Sequence, residues 1–241
     1  MLKVKKHNIF LLLSLFFIII LCPFSIYASN NALEEISADE KQKIFEKINA
    51  IQKDIHSICA SISQEKHLTI LKKKMHIEGT VMVAKPNMLR WEILKPEKSI
   101  TLIDGETMTV YHPEIKEAQV HTLSENLIAS NAMGFFIAFM SGSLHEMEKK
   151  FTVNILRKDG ELIFDLIPLS RMVSRYVSSI TIYYDAGTGL PQKFDVLTPK
   201  GDKIITKLTN IKTNLELKPE TFKIKLPDDV WITNKFEQIN N

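Results

Sequence analysis

Apolar and polar positions alternate along this chain with two different periods. The string Ser37-Ala38-Asp39-Glu40 is a capping box, with a hydroxyl able to accept from the Glu40 amide and a carboxylate able to reach back. A helix therefore starts there. Ile44, Ile48, Ile51, Ile55 and Ile58 come next at steps of four, three, four and three, which predicts an amphipathic helix with one isoleucine stripe opposite Lys43, Glu46, Lys53 and Asp54. Cys59 would then close that helix as a small buried hydrophobe. From about Leu68 the period falls to two. Met75, Ile77, Val81 and Val83, then Leu89, Trp91 and Ile93, alternate with polar residues, as half-buried antiparallel strands do. Further strands are expected at 99–104, 107–112 and 117–122. A second series is expected at 151–157, 161–167, 177–185, 192–198, 203–212 and 221–226. Turn signals such as Lys95-Pro96, Asp104-Gly105, Asp159-Gly160 and Lys200-Gly201-Asp202 separate them.

Ten or eleven strands without interleaved crossover helices predict an α+β, mainly β fold, a single strongly bent antiparallel sheet or unclosed barrel. Between the two series lies a segment that is apolar nearly all round. It carries Leu127, Ile128, Ala132, Met133, Phe135, Phe136, Ile137, Phe139 and Met140. A helix greasy on every side must be covered on every side, and one sheet covers only one. Either a second helix or a ligand supplies the rest. Met75, Met82, Met88, Met108, Met133 and Met140 fall in or near the expected wall and lid, where their flexible side chains would repack around varied ligands.

Composition changes this picture mainly at the N-terminus. Lys3, Lys5 and Lys6 precede an apolar run from Ile9 to Leu21, and Ala28 precedes polar residues. Residues 1–28 thus read as a cleavable export signal, with an uncleaved anchor as the alternative, and residues 29–241 as one domain. Beyond residue 28 the chain carries 28 basic residues, the total of 31 less the three lysines, against 28 acidic ones. That balance argues against a nucleic-acid partner. Cys59 is then the only remaining cysteine, so no intramolecular disulfide is available.

No catalytic constellation stands out. GxSxG, HExxH, a phosphate-binding glycine loop and CxxC are all missing. The histidines are scattered, no metal site is expected, and Asp228-Asp229 reads as a solvated turn.

Three local strings resemble the LolA family of periplasmic outer-membrane lipoprotein carriers. Lys85-Pro86-Asn87-Met88-Leu89-Arg90-Trp91 is similar to the family's basic-Pro-Asn-apolar-x-x-Trp signature. Ile103-Asp104-Gly105-Glu106-Thr107, closing in Tyr111-His112-Pro113, resembles the next hairpin. Thr221-Phe222-Lys223-Ile224-Lys225-Leu226-Pro227-Asp228-Asp229-Val230 resembles the last strand. The resemblance implies an unclosed barrel of about eleven antiparallel strands, with an α-helical lid over an apolar cavity for acyl chains, and neither catalysis nor a cofactor. It also implies a periplasmic location, a monomer, acylated lipoproteins or a related lipid as cargo, an inner-membrane releasing complex and an outer-membrane acceptor. Expected cavity and lid residues are Leu89, Trp91, Ile93, Leu102, Met108, Val110, Met133, Phe135, Phe136, Phe139 and Met140. Lys85 falls where the family commonly has an arginine that latches the lid; a lysine lacks the planar fork of donors, so its latch would be looser. A carrier of another amphiphile, such as a glycolipid or pigment ester, or a membrane-anchored lipid-sensing module, remains an alternative.

Overall fold

The computed structural model describes residues 34–71, 73–124, 147–159 and 161–233. Among these residues thirteen strands form one sheet. They are β1 (Glu34–Glu35), β2 (Ser57–His67), β3 (Met75–Ala84), β4 (Met88–Lys95), β5 (Ser99–Asp104), β6 (Thr107–His112), β7 (Glu117–Thr122), β8 (Phe151–Lys158), β9 (Glu161–Pro168), β10 (Ser179–Asp185), β11 (Pro191–Leu197), β12 (Lys203–Thr213) and β13 (Trp231–Thr233). Their order is β1-β8-β9-β10-β11-β12-β2-β3-β4-β5-β6-β7-β13. The central eleven, β8 to β7, run antiparallel throughout, and β12 pairing with β2 splices the two halves of the chain into one sheet. Short β1 caps one side and β13, the one parallel pairing among the described residues, caps the other. The sheet is thus unclosed, mainly β, and close to the strand count expected from the alternation.

Helix α1 (Ala38–Lys53) crosses one face, called here the inner face. The Ser37 hydroxyl accepts from the Glu40 amide at 3.4 Å, but the Glu40 carboxylate does not reach back. It accepts from Arg157 of β8 at 2.6 Å instead. Ile44, Phe45 and Ile48 bury against Ile58, Val83, Val153, Phe164, Leu166 and Ile182 in one cluster. Phe45 stands edge-on to Phe164 with centroids 5.2 Å apart, and Phe164 in turn meets Tyr184 at 4.7 Å.

Two expected boundaries fail. The helix stops at Lys53, so Ile58 and Cys59 belong to β2, where Ile58, Ala60 and Ile62 alternate toward the core. The stop comes from far along the chain. Asn214, in the left-handed region at φ 57°, donates its Nδ2 to the Asp54 carbonyl at 2.9 Å and accepts the His56 amide at 2.7 Å, so the chain turns from helix to strand there. The strand expected at 221–226 is also absent. Pro219–Phe222 forms a 3-10 turn, residues 223–227 run on without a ladder, and 228–229 turn, with the Val230 amide donating to the Pro227 carbonyl at 3.2 Å. Their alternation is real, with Phe222, Ile224 and Leu226 the more buried positions, but it answers to side chains on the sheet and not to a neighbouring backbone. Phe222 packs on the outer face beside β4 and β5, and Arg90 donates to the Thr221 carbonyl at 3.1 Å. A second helix, α2 (Arg171–Ser174), is a single turn between β9 and β10.

Candidate functional site: the inner face beside helix α1

Cross-strand registers sort the expected site residues by face. Val83 opposes Leu89, Leu89 opposes Ile103, and Ile103 opposes Met108, so these four share the inner face. Val81, Trp91, Thr101 and Val110 form the next row of the same face, and Gly79, Ile93 and Ser99 the row beyond. Leu102 does not belong to them. It opposes Arg90 and Thr109 and is buried on the outer face, where Tyr111, Ala118 and Phe222 are also buried. The one-residue step from Ile103 reverses the side chain, which corrects its assignment to the cavity wall. Met82 and Met88 likewise take the outer parity, with Arg90. Met133, Phe135, Phe136, Phe139 and Met140 lie outside the described residues.

The inner face is graded from one end to the other. Leu89 is only 4% exposed and Met108 7%, both inside the core cluster. Leu89 therefore lies at the bottom of this face, inside the core cluster. Trp91 and Val110 are only partly buried against that cluster, as are Phe194, Val196 and Leu208 from β11 and β12. Ile93 is half-buried as well. An apolar surface thus continues past the part that α1 fills.

The sequence strings converge where the C-terminus of α1 meets the sheet. Lys85 Nζ donates to the Gln52 carbonyl at 2.9 Å, in the last helical turn, where carbonyls lack the full set of intrahelical partners. Burial pushes the Lys85 ammonium below its ordinary value, an effect partly offset by Asp54. Asn87 donates to the Gly105 carbonyl at 2.9 Å, and Gly105 takes φ 108°, which joins the Lys85-Pro86-Asn87 and Asp104-Gly105 strings side by side. Asp104 accepts from the Thr107 amide and hydroxyl, both at 2.9 Å, so it organises its own turn. Around the same helix end, Gln52 donates to the Gly189 carbonyl at 3.4 Å and Lys47 to the Ala186 carbonyl at 3.1 Å. At its other end Lys41 donates to the Val153 carbonyl at 2.9 Å and pairs with Glu148 at the same distance. The helix is therefore seated on an apolar row and fastened at both ends by polar side chains.

Gln52, Phe45 and Tyr184 were not predicted. Phe45 and Gln52 flank the isoleucine stripe and could have been found by widening it by one position on each side; Tyr184 carries no local signal. Burial drives the Tyr184 phenol well above its ordinary value, partly offset by a hydrogen bond with Gln52. On β7, burial pushes the inner-face imidazole of His121 below its ordinary value. Among the described residues no group of three or more His, Cys, Asp or Glu side chains could hold a metal ion. No helix among them is long and apolar enough to cross a membrane.

The described residues thus form an unclosed, mainly antiparallel sheet whose apolar inner face is partly covered by helix α1. The family model described as outer membrane lipoprotein carrier protein LolA matches residues 53–225. The chain belongs to the LolA family. The outer-membrane lipoprotein carrier protein of Legionella pneumophila (strain Paris) is 26% identical over 223 residues, covering 91% of this chain and 98% of that one. That of Coxiella burnetii (strain CbuK_Q154) is 25% identical over 147 residues, covering 61% of this chain and 66% of its own length. Among solved structures, a LolA superfamily protein from Nitrosomonas europaea aligns at TM-score 0.41 and 13% identity, over 76% of this chain and 97% of that one.

Proposed function

We propose that this chain is a periplasmic carrier that shelters the acyl chains of lipoproteins on its inner face and moves them from the inner to the outer membrane without chemistry on them. The observation that carries the reading is the graded inner face. Apolar side chains continue from the buried Leu89 and Met108 to the partly buried Trp91, Ile93 and Val110, beside a helix whose ends are held by hydrogen bonds and not by packing alone. In this reading Trp91, Ile93 and Val110 touch the cargo, Leu89 and Met108 form the floor, and Met133, Phe135, Phe136, Phe139 and Met140 belong to the cavity and its lid. Lys85 is the latch. Residues 1–28 serve as the export signal and residues 29–241 as the carrier domain.

The energetics favour a latch. At about 0.8 kcal/mol per buried methylene, a chain of roughly 15 methylenes gains on the order of 12 kcal/mol, too much for release unless closing the empty carrier returns a large share. Hydrogen bonds that form only in the closed state supply part of that return.

The test is native mass spectrometry, with lipid extraction, of exported protein purified from its periplasm without detergent. Titration of the emptied protein with a triacylated lipopeptide completes it. Bound acylated cargo and one-to-one uptake are expected. A protein that is always empty and takes up no lipopeptide would overturn the proposal.

A further inference from the structure

The two ends of the sheet differ in what they expose. At the end that carries Lys85, the turns after β3, β5, β8 and β10 are polar. Every strongly exposed large apolar side chain among the described residues, Leu215 excepted, lies at or beside the opposite end. There three connections are pinned together. Thr69, between β2 and β3, donates its amide to Asp202, between β11 and β12, at 2.7 Å. The Ser178 amide, at the end of the β9–β10 connection, donates to the Leu197 carbonyl at 2.7 Å. Across these three connections Ile70, Leu71, Leu169, Met172, Tyr176 and Leu197 stand in solvent, Ile70 77% exposed and Leu169 56%.

Basic residues are interspersed with them. The 169–178 connection holds Arg171 and Arg175 and no acid, and both are exposed. Lys73 and Lys200 are exposed on the adjoining connections, and Lys74 pairs with Glu65 at 3.7 Å. Beyond β7 the same end is mixed in charge: Ile115, Trp231 and Ile232 are exposed there beside Glu114, Asp228 and Asp229, the last paired with Lys116. Basic side chains thus outnumber acids in the first sector, where Asp202 is engaged by Thr69 and Glu65 by Lys74, and that surplus beside exposed apolar side chains is the charge complementary to an anionic bilayer.

We propose that this sector is a docking surface for anionic phospholipid membranes. Leu169, Met172 and Tyr176 enter the headgroup layer, and Arg171, Arg175 and Lys73 meet its phosphates. The inference is independent of what the inner face carries.

The experiment is flotation of the full exported chain, emptied of lipid, with phosphatidylcholine vesicles and with vesicles holding about 30% phosphatidylglycerol. Binding to the anionic vesicles that weakens with added salt is expected, with little binding to the zwitterionic ones. The Arg171→Gln/Arg175→Gln pair should lower anionic partitioning about 30-fold, the equivalent of about 1 kcal/mol per basic side chain. Met172→Ser/Tyr176→Ser should lower it too while keeping the salt dependence. All four side chains are exposed, so melting should not change. Equal binding to both vesicles, no binding, or partitioning indifferent to these changes would overturn the proposal. So would sedimentation showing a dimer that the same variants split, since a second copy of the chain would then cover the face.

Discussion

Replacing Lys85 by Met removes the ammonium that holds the end of α1 and keeps the apolar stem. A hydrogen bond from a charged donor contributes about 1.5–3 kcal/mol, and a cation at a helix C-terminus adds about 0.3–1 kcal/mol. The low end applies here for two reasons. The Gln52 carbonyl also accepts the amides of Asp54 and Ile55, so it is not orphaned when Lys85 leaves. Burial of Lys85 also opposes its charge. A net loss of about 1.4 kcal/mol from the closed state corresponds to a factor of about 10. If cargo competes with closure, Lys85→Met should bind a fluorescent acyl probe up to about tenfold more tightly and release it more slowly. Amide exchange should quicken at Gln52 to Ile55 while the sheet stays protected. Probe affinity that stays the same or falls, with that exchange quickened, would refute the latch, because opening the helix end would then have no bearing on the bound state.

Two further outcomes rest on the sheet itself. A Cβ on Gly79 would lie 2.0 Å from the Glu92 carbonyl oxygen, a backbone atom that cannot swing aside, so Gly79→Ala should destabilise by at least about 1–3 kcal/mol in urea unfolding. His121 binds its proton less readily folded than unfolded, so the unfolded chain holds more protons as pH falls through about 6.5. Its contribution is therefore present above that pH and lost below it, and His121→Gln should flatten this part of a plot of melting temperature against pH.

How much of this was legible in the sequence depends on where each signal originates. The alternation at Ile77, Val81 and Val83 and at Leu89, Trp91 and Ile93 names its own face, and the registers keep it. Leu102 fails because in the run Ile100-Thr101-Leu102-Ile103 apolar residues fall on both parities and both faces of β5 are covered, one by the core and one by the C-terminal strap. The end of α1 fails because Ile55 and Ile58 fit a helical spacing as well as they fit a turn leading into β2. The side chain that settles it is Asn214, about 160 positions away, and no local reading can supply it. Lys85 was legible as a basic residue in a recurring string, but its acceptor was not, since the Gln52 carbonyl becomes available only where the helix ends.

The two short flanking strands bear on life in a crowded compartment. A closed barrel has no free hydrogen-bonding rim, whereas the margins of an unclosed sheet can template the pairing of another chain. At one, β8 is capped by two residues that are both glutamate; at the other, β7 is capped by three residues running parallel to it. A copy arriving edge to edge meets a strand of two residues on one side and one of three residues on the other. The architecture can therefore keep an apolar face and still resist edge-to-edge growth, because the guard against aggregation sits at the margins of the sheet and not on its face.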